Sequence, residues 1–153
     1  MDRIEIKVEE LTKLVGKEIG ISDWFEITQD RVNDFAKCTL DNQWIHVDVE
    51  QAKKSPFGGT ITQGTLLISL LYHLMIDFAI IPTNISFSLN YGFDKVRFLN
   101  PVPVGSRIRI KAVVSDFTDK GDGRFLLKIV NTFEVEGAEK PACIAEVLAM
   151  FVK

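Results

Sequence analysis

The chain contains two histidines. One of them, His46, follows Asp41 by five residues in the segment Asp41-Asn42-Gln43-Trp44-Ile45-His46-Val47-Asp48. Imidazole titrates closer to neutrality than any other side chain, so a histidine within reach of a carboxylate is a candidate pair for moving protons. The spacing restricts how the two can meet. Five helical residues turn by roughly 500°, leaving the side chains roughly 140° apart, and an odd separation on a strand sends them to opposite faces. They converge only across an irregular turn. The plainer alternative is a loop aspartate capping a turn beside a partly exposed histidine. Asp48 most simply caps a short helix that follows. A metal site built from Asp41, His46 and Asp48 would lack a second histidine nearby, so no metal is expected.

Gly64 adds a second kind of chemistry. If Thr62 caps the apolar stretch that follows, Gly64 falls in the first helical turn, where backbone N–H groups have no intrahelical acceptor and the helix dipole favours negative charge. Glycine there lets a ligand approach the backbone, and its N–H can receive negative charge that develops on a ligand oxygen. A glycine required for close helix packing explains the residue equally well. Further along, His73 and Asp77 stand four apart on one helical face and form a candidate internal polar pair, which a buried histidine on an apolar helix needs. Tyr72 faces either a pocket or a subunit contact. Arg97, Arg107 and Arg109 suit phosphate groups, and solvation at strand edges accounts for them as well.

These residues need elements to hold them. Val8, Leu11, Leu14 and Val15 have helical spacing and stop at Gly16, which predicts a short amphipathic helix. Lys17 to Ile27 reads as extended. Thr28 caps the next helix, with Asp30 at its positive end and Val32, Phe35 and Ala36 facing inward, and this helix leads directly to Asp41. A short helix from Asp48 to Lys54 and a tight loop at Ser55-Pro56-Phe57-Gly58-Gly59 follow. The longest apolar stretch runs from Ile61 to Ile81 with leucines on all sides, predicting a helix buried nearly all round. It is long enough to span a bilayer, but Thr62, Gln63, Ser69, His73 and Asp77 interrupt it, and no membrane is expected.

Beyond Pro82 the period changes to two. Ile108, Ile110 and Ala112 alternate with Arg107, Arg109 and Lys111, and Leu127, Ile129, Phe133 and Val135 continue the alternation after a turn at Gly121-Asp122-Gly123. Ala142 to Val152 is apolar on both faces apart from Glu146, as in a central strand, and Pro101 and Pro103 precede the series where missing donors do least harm. Helices first and an antiparallel sheet second make an α+β domain, one domain over residues 1–153.

At 153 residues and 46% hydrophobic content, such a chain can bury a core without disulfides or metals. A net charge of -3 with no Lys/Arg block gives no footprint for nucleic acid. Cys38 and Cys143 lack metal or redox spacing and read as free thiols of a reducing compartment. The charged start, Met1 to Lys7, and the ending Phe151-Val152-Lys153 show no targeting signal, so a cytoplasmic protein is expected.

The ordered set Phe35-Ala36, Asp41, His46, Asp48, Ala52, Pro56-Phe57-Gly58 and Ile61-Thr62-Gln63-Gly64 resembles the MaoC-like, (R)-specific enoyl-CoA hydratases of the hot-dog superfamily. Ser22-Asp23-Trp24, Gln43-Trp44-Ile45-His46-Val47-Asp48 and Tyr91-Gly92-Phe93-Asp94-Lys95-Val96-Arg97-Phe98 are similar to the NodN-like branch. The likeness runs over residues 8 to 115. It implies a hot dog, a curved antiparallel sheet wrapped around the central apolar helix, paired into a homodimer.

It also implies a reaction. Asp41 and His46 would hold a water that adds across a trans-2-enoyl thioester, giving the (R)-3-hydroxyacyl product or running in reverse as a dehydration. The Gly64 N–H would hold the thioester oxygen. The substrate would be carried on CoA or acyl-carrier protein, and no cofactor is called for. Gln43-Trp44 stands where the family usually has Asn-Pro, which gives Gln43 any orienting hydrogen bond. Gln63 takes the place of a common histidine. Tyr72 replaces a small residue that some relatives use near the substrate, and would shorten the acyl pocket. The same fold leaves two alternatives, a thioesterase in which a carboxylate directs water at the carbonyl and a non-catalytic acyl-thioester-binding subunit.

Overall fold

In the computed structural model, which describes residues 3–76 and 78–153, helical elements precede a long antiparallel sheet. Strand β1 (Ile4–Ile6) leads into a 3-10 helix at Val8–Leu14, where an α-helix was expected. The reason is in the spacing. Three residues per 3-10 turn align Val8, Leu11 and Leu14 on one side, and Val8 and Leu11 are fully buried while Val15 is exposed. The extended stretch that follows is divided into β2 (Glu18–Ile21) and β3 (Phe25–Glu26).

Helix α1 (Gln29–Thr39) begins as predicted, with the Thr28 hydroxyl accepting from the Arg31 N–H and with Val32 and Ala36 buried. It ends at Leu40, which takes a left-handed conformation with φ of 63°. Two short helices follow, α2 (Trp44–Val47) and α3 (Val49–Lys53). The Asp48 carboxylate caps α3 by accepting from the Gln51 N–H at 2.9 Å, so its charge serves the helix start.

The apolar stretch departs from the expected single helix. It forms α4 (Gly64–Ser69) and α5 (Leu71–Met75), and Ile80–Pro82 is strand β4, paired in parallel with β1. Leu70 separates the two helices: its N–H is shared between the Leu66 and Leu67 carbonyls at 3.1 and 3.2 Å, which tightens the turn, while Ser69 Oγ donates back to the Thr65 carbonyl. The helix start is also later than predicted. Ile61 bridges to Pro103 and the Thr62 N–H donates to the Val102 carbonyl, so Gln63 and not Thr62 is the N-terminal cap. Burial is one-sided: Leu66, Leu67, Leu70, Leu71 and Leu74 are buried, and Tyr72 and Ile76 are exposed. The sheet covers only one side of these helices. His73, expected to be buried beside Asp77, is exposed and rests edge-on against Phe25, with ring centroids 4.8 Å apart; Asp77 lies outside the described residues.

The sheet is built from β5 (Phe87–Phe98), β6 (Arg107–Gly121), β7 (Arg124–Val135) and β8 (Cys143–Val152) together with β2 and β3. Its order is β2-β6-β7-β8-β5, with β3 also on β6, and every pairing is antiparallel. The β6–β7 turn has positive φ at both Asp122 and Gly123, the two-residue geometry whose twist matches paired strands and which Asp-Gly adopts readily. Strand β8 is central, between β7 and β5. One sheet face, with Ile108, Ile110, Leu127, Ile129, Phe133, Ala145 and Val147, packs on the leucines of α4 and α5 in one core. An antiparallel sheet over an apolar helix is the arrangement that the resemblance implies.

Candidate active site

The turn that brings Asp41 to His46 is made by the backbone. The left-handed Leu40 stops α1 and redirects the chain, and the Asn42 N–H closes back on the Leu40 carbonyl at 3.1 Å. The Gln43 carbonyl then accepts from the His46 N–H at 3.0 Å as α2 begins. In this irregular segment Asp41 Oδ2 lies 3.9 Å from His46 Nε2. That is too long for a direct hydrogen bond and suits one small molecule held by both groups. The His46 side chain is 8% exposed and that of Asp41 34% exposed, so the pair is reached from one side.

The other ring nitrogen fixes the tautomer. His46 Nδ1 lies 2.6 Å from the carbonyl oxygen of Ile61, and a carbonyl oxygen can only accept. Nδ1 therefore carries the proton of the neutral ring, and Nε2 presents a lone pair toward Asp41. Ile61 is itself held, its N–H donating to the Ile45 carbonyl at 2.9 Å.

A cavity of about 270 Å³ opens at His46, lined also by Ile61, Thr62, Gly64, Leu67 and Phe98 with the segment Leu99 to Val102. Gly64 is the first residue of α4. A methyl group added there would come within 2.9 Å of the Phe98 ring, so close packing is one reason for this glycine. Among the sequence candidates, His46 and Gly64 line this cavity, and Asp41 lies beside His46. Gln43 does not contribute its side chain, which is exposed; its main-chain carbonyl serves the turn, and the hydrogen bond that orients the His46 ring comes from Ile61. Gln63 is 1% exposed, donates from Nε2 to the Val32 carbonyl at 3.2 Å and so ties α4 to α1; its Oε1 has no partner among the described residues.

The remaining candidates have structural employment. Arg107 pairs with Glu136 and Arg109 with Glu134, and Arg109 also lies over the Trp24 ring at 4.5 Å. The Arg97 guanidinium donates to the neighbouring Val96 carbonyl. Tyr72 lines a different cavity of about 420 Å³ between α5 and strands β5, β7 and β8, and the partial desolvation of its largely exposed side chain raises its phenol pKa. Burial also pushes the Cys143 thiol up to about 11, leaving it protonated and unreactive near neutrality. Sequence reasoning missed Ile61 and Gln29, whose amide Nε2 donates to the His46 carbonyl at 2.8 Å.

Comparison with known proteins identifies a family. The MaoC like domain family matches residues 10–134. The chain is 43% identical over 145 residues to the 3-hydroxyacyl-thioester dehydratase Z of Mycobacterium tuberculosis, covering 95% of each chain. It is 39% identical over 149 residues to nodulation protein N of Rhizobium meliloti, covering 95% of this chain and 91% of that protein. In structure it is similar to the monoamine oxidase regulatory protein from Archaeoglobus fulgius, with a TM-score of 0.81, 27% identity, and coverage of 100% and 98% of the two chains. No helix among the described residues is long and apolar enough to cross a membrane.

Proposed function

The chain belongs to the MaoC-like family of hot-dog hydratases and dehydratases, and from this premise we propose that it catalyses reversible syn hydration of a trans-2-enoyl thioester to the (R)-3-hydroxyacyl thioester. One observation carries the proposal: two lone-pair groups, Asp41 Oδ2 and His46 Nε2, lie 3.9 Å apart, and His46 lines a mostly apolar cavity together with Gly64. Two acceptors so placed suit a water that donates one hydrogen to each.

The steps follow from that arrangement. The water oxygen attacks C3 while one of the pair removes a proton, and the electrons of the C2=C3 bond move onto the thioester oxygen as an enolate. The N–H of Gly64, without an intrahelical acceptor, receives that charge. As the enolate collapses, C2 takes the proton from the face on which the oxygen was added. One water supplies both the hydroxyl and the hydrogen, so the addition is syn and its reverse is dehydration. Acid–base help of this kind is worth roughly 10²–10⁴ in rate, and an oxyanion donor roughly 10²–10³.

CoA is the carrier in this reading, with acyl-carrier protein as the alternative, and the setting is cytoplasmic. A homodimer belongs to it as well. Strand β5 is a sheet edge that exposes Phe87, Leu89 and Tyr91, and pairing with a second copy would cover both the unpaired backbone and these side chains.

The test is crotonyl-CoA added to pure protein. Loss of the conjugated enoyl absorbance with (R)-3-hydroxybutyryl-CoA as product and no free thiol is expected. Release of CoA thiol makes the protein a thioesterase instead, and tight binding without turnover makes it a non-catalytic acyl-thioester binder.

A further inference from the structure

We propose that Gln29 is a positioning residue for the His46 ring, acting through the main chain on both sides of it. The inference rests on the hydratase reading. Gln29 is the first residue of α1, and both donors and the acceptor oxygen of its amide are engaged. Nε2 donates to the His46 carbonyl at 2.8 Å and to Asn33 Oδ1 at 2.9 Å. Oε1 accepts from the Thr60 hydroxyl at 2.6 Å. The next residue after Thr60 is Ile61, whose carbonyl takes the His46 Nδ1 proton and whose N–H holds Ile45.

The contacts close a ring from the His46 main chain through Gln29, Thr60 and Ile61 to the His46 imidazole. Thr60 is itself buried, and its carbonyl accepts from the Val104 N–H at 2.9 Å, so one side of the ring is anchored to the loop before β6. Only a primary amide offers two donors and an acceptor in one plane. A carboxylate keeps the acceptor for Thr60 and loses both donors. Without Gln29 the His46 carbonyl and the Thr60–Ile61 segment are free to shift relative to each other, and the Nδ1–H to Ile61 bond that selects the tautomer loosens. The rate is sensitive to such shifts, since a displacement of about 1 Å can cost on the order of 100-fold.

The test uses the full chain with crotonyl-CoA and with ¹⁵N-histidine NMR, in which His73 is the internal control. For Gln29→Ala, kcat is expected to fall on the order of 10-fold or more with KM within about twofold, and the His46 ring should change from one Nδ1–H tautomer to a mixture. In a His46→Ala background the same change should cost less than about twofold, because Gln29 acts through that ring. For Gln29→Glu, activity relative to wild type should recover as pH falls and the carboxyl regains a donor, while the ratio for Gln29→Ala stays flat. If Gln29→Ala does not fold, Thr60→Val cuts the other half of the ring and should give a smaller loss with the same signature. An unchanged His46 tautomer in Gln29→Ala, or a full loss that persists on top of His46→Ala, overturns the proposal. If wild type turns over no enoyl thioester, the hydratase reading fails, and the NMR comparison still decides the role of Gln29.

Discussion

The carbonyl oxygen of Ile61 stands 2.6 Å from Nδ1 of His46, and this contact decides which nitrogen of the imidazole is basic toward the cavity. It comes from a residue outside the Asp41–Asp48 segment, in the strand-like stretch held by Pro103 and Val102. The arrangement of Asp41 and His46 is therefore a product of tertiary structure, although the two are five residues apart.

Gly64 and Phe98 should be coupled. Because a Cβ at Gly64 would lie 2.9 Å from the Phe98 ring, Gly64→Ala is expected to destabilise the protein by about 1–3 kcal/mol through overpacking. In a Phe98→Ala background the same substitution should cost markedly less. Chemical denaturation of the four proteins in a double-mutant cycle measures this, and equal costs in both backgrounds would show that the ring is not the obstacle.

Leu40 pays for the turn with its backbone. A left-handed leucine is disfavoured by roughly 1–2 kcal/mol, and this side chain is 80% exposed, so little packing is lost on its removal. Leu40→Gly is expected to raise the thermal midpoint, part of the gain being offset by the entropy of glycine in the unfolded chain. A lowered midpoint would mean that the leucine side chain makes a contribution its exposure does not suggest.

Glu9 ties the N-terminal 3-10 helix to the end of the sheet. Its carboxylate accepts from Lys153 and from Asn84, and these hydrogen bonds lower its pKa from 4.5 to about 2. A depressed carboxylate contributes stability above its unfolded value that is lost as pH falls through the folded one. The gap in urea midpoint between wild type and Glu9→Gln should thus be constant above pH 4.5 and shrink progressively toward pH 2. A gap that is flat across this window would remove the ion pair from the account.

Much of this could be read from residue patterns, and the exceptions share a cause. The alternation of Ile108, Ile110 and Ala112 and the Asp122-Gly123 turn are local signals, and both appear as read. The irregular turn between Asp41 and His46 was legible because neither helix nor strand can bring them together. The break at Leu70 was not, since the sharing of its N–H between the Leu66 and Leu67 carbonyls leaves no mark in residue type. The exposure of His73 and Tyr72 depends on how far the sheet extends around the helix. Ile61 was invisible as a partner for His46 because any main-chain carbonyl can fill that role, and Gln29 because its contacts span 17 and 31 residues.

The free thiols offer a check on the packing around β8. Cys38 is exposed, and Cys143 is buried with its pKa pushed up to about 11. A disulfide reagent should react promptly with Cys38 alone in the folded protein and with both cysteines in denaturant. Prompt reaction of Cys143 in the native state would place it outside the core.

The central claim is that Asp41 and His46 act together on one water. Its most direct test is kcat/KM for crotonyl-CoA hydration by wild type, Asp41→Asn and His46→Ala, with folding verified by thermal melts. Each substitution is predicted to lower the value by roughly 10²–10⁴. Turnover at the wild-type rate in both variants would contradict the account.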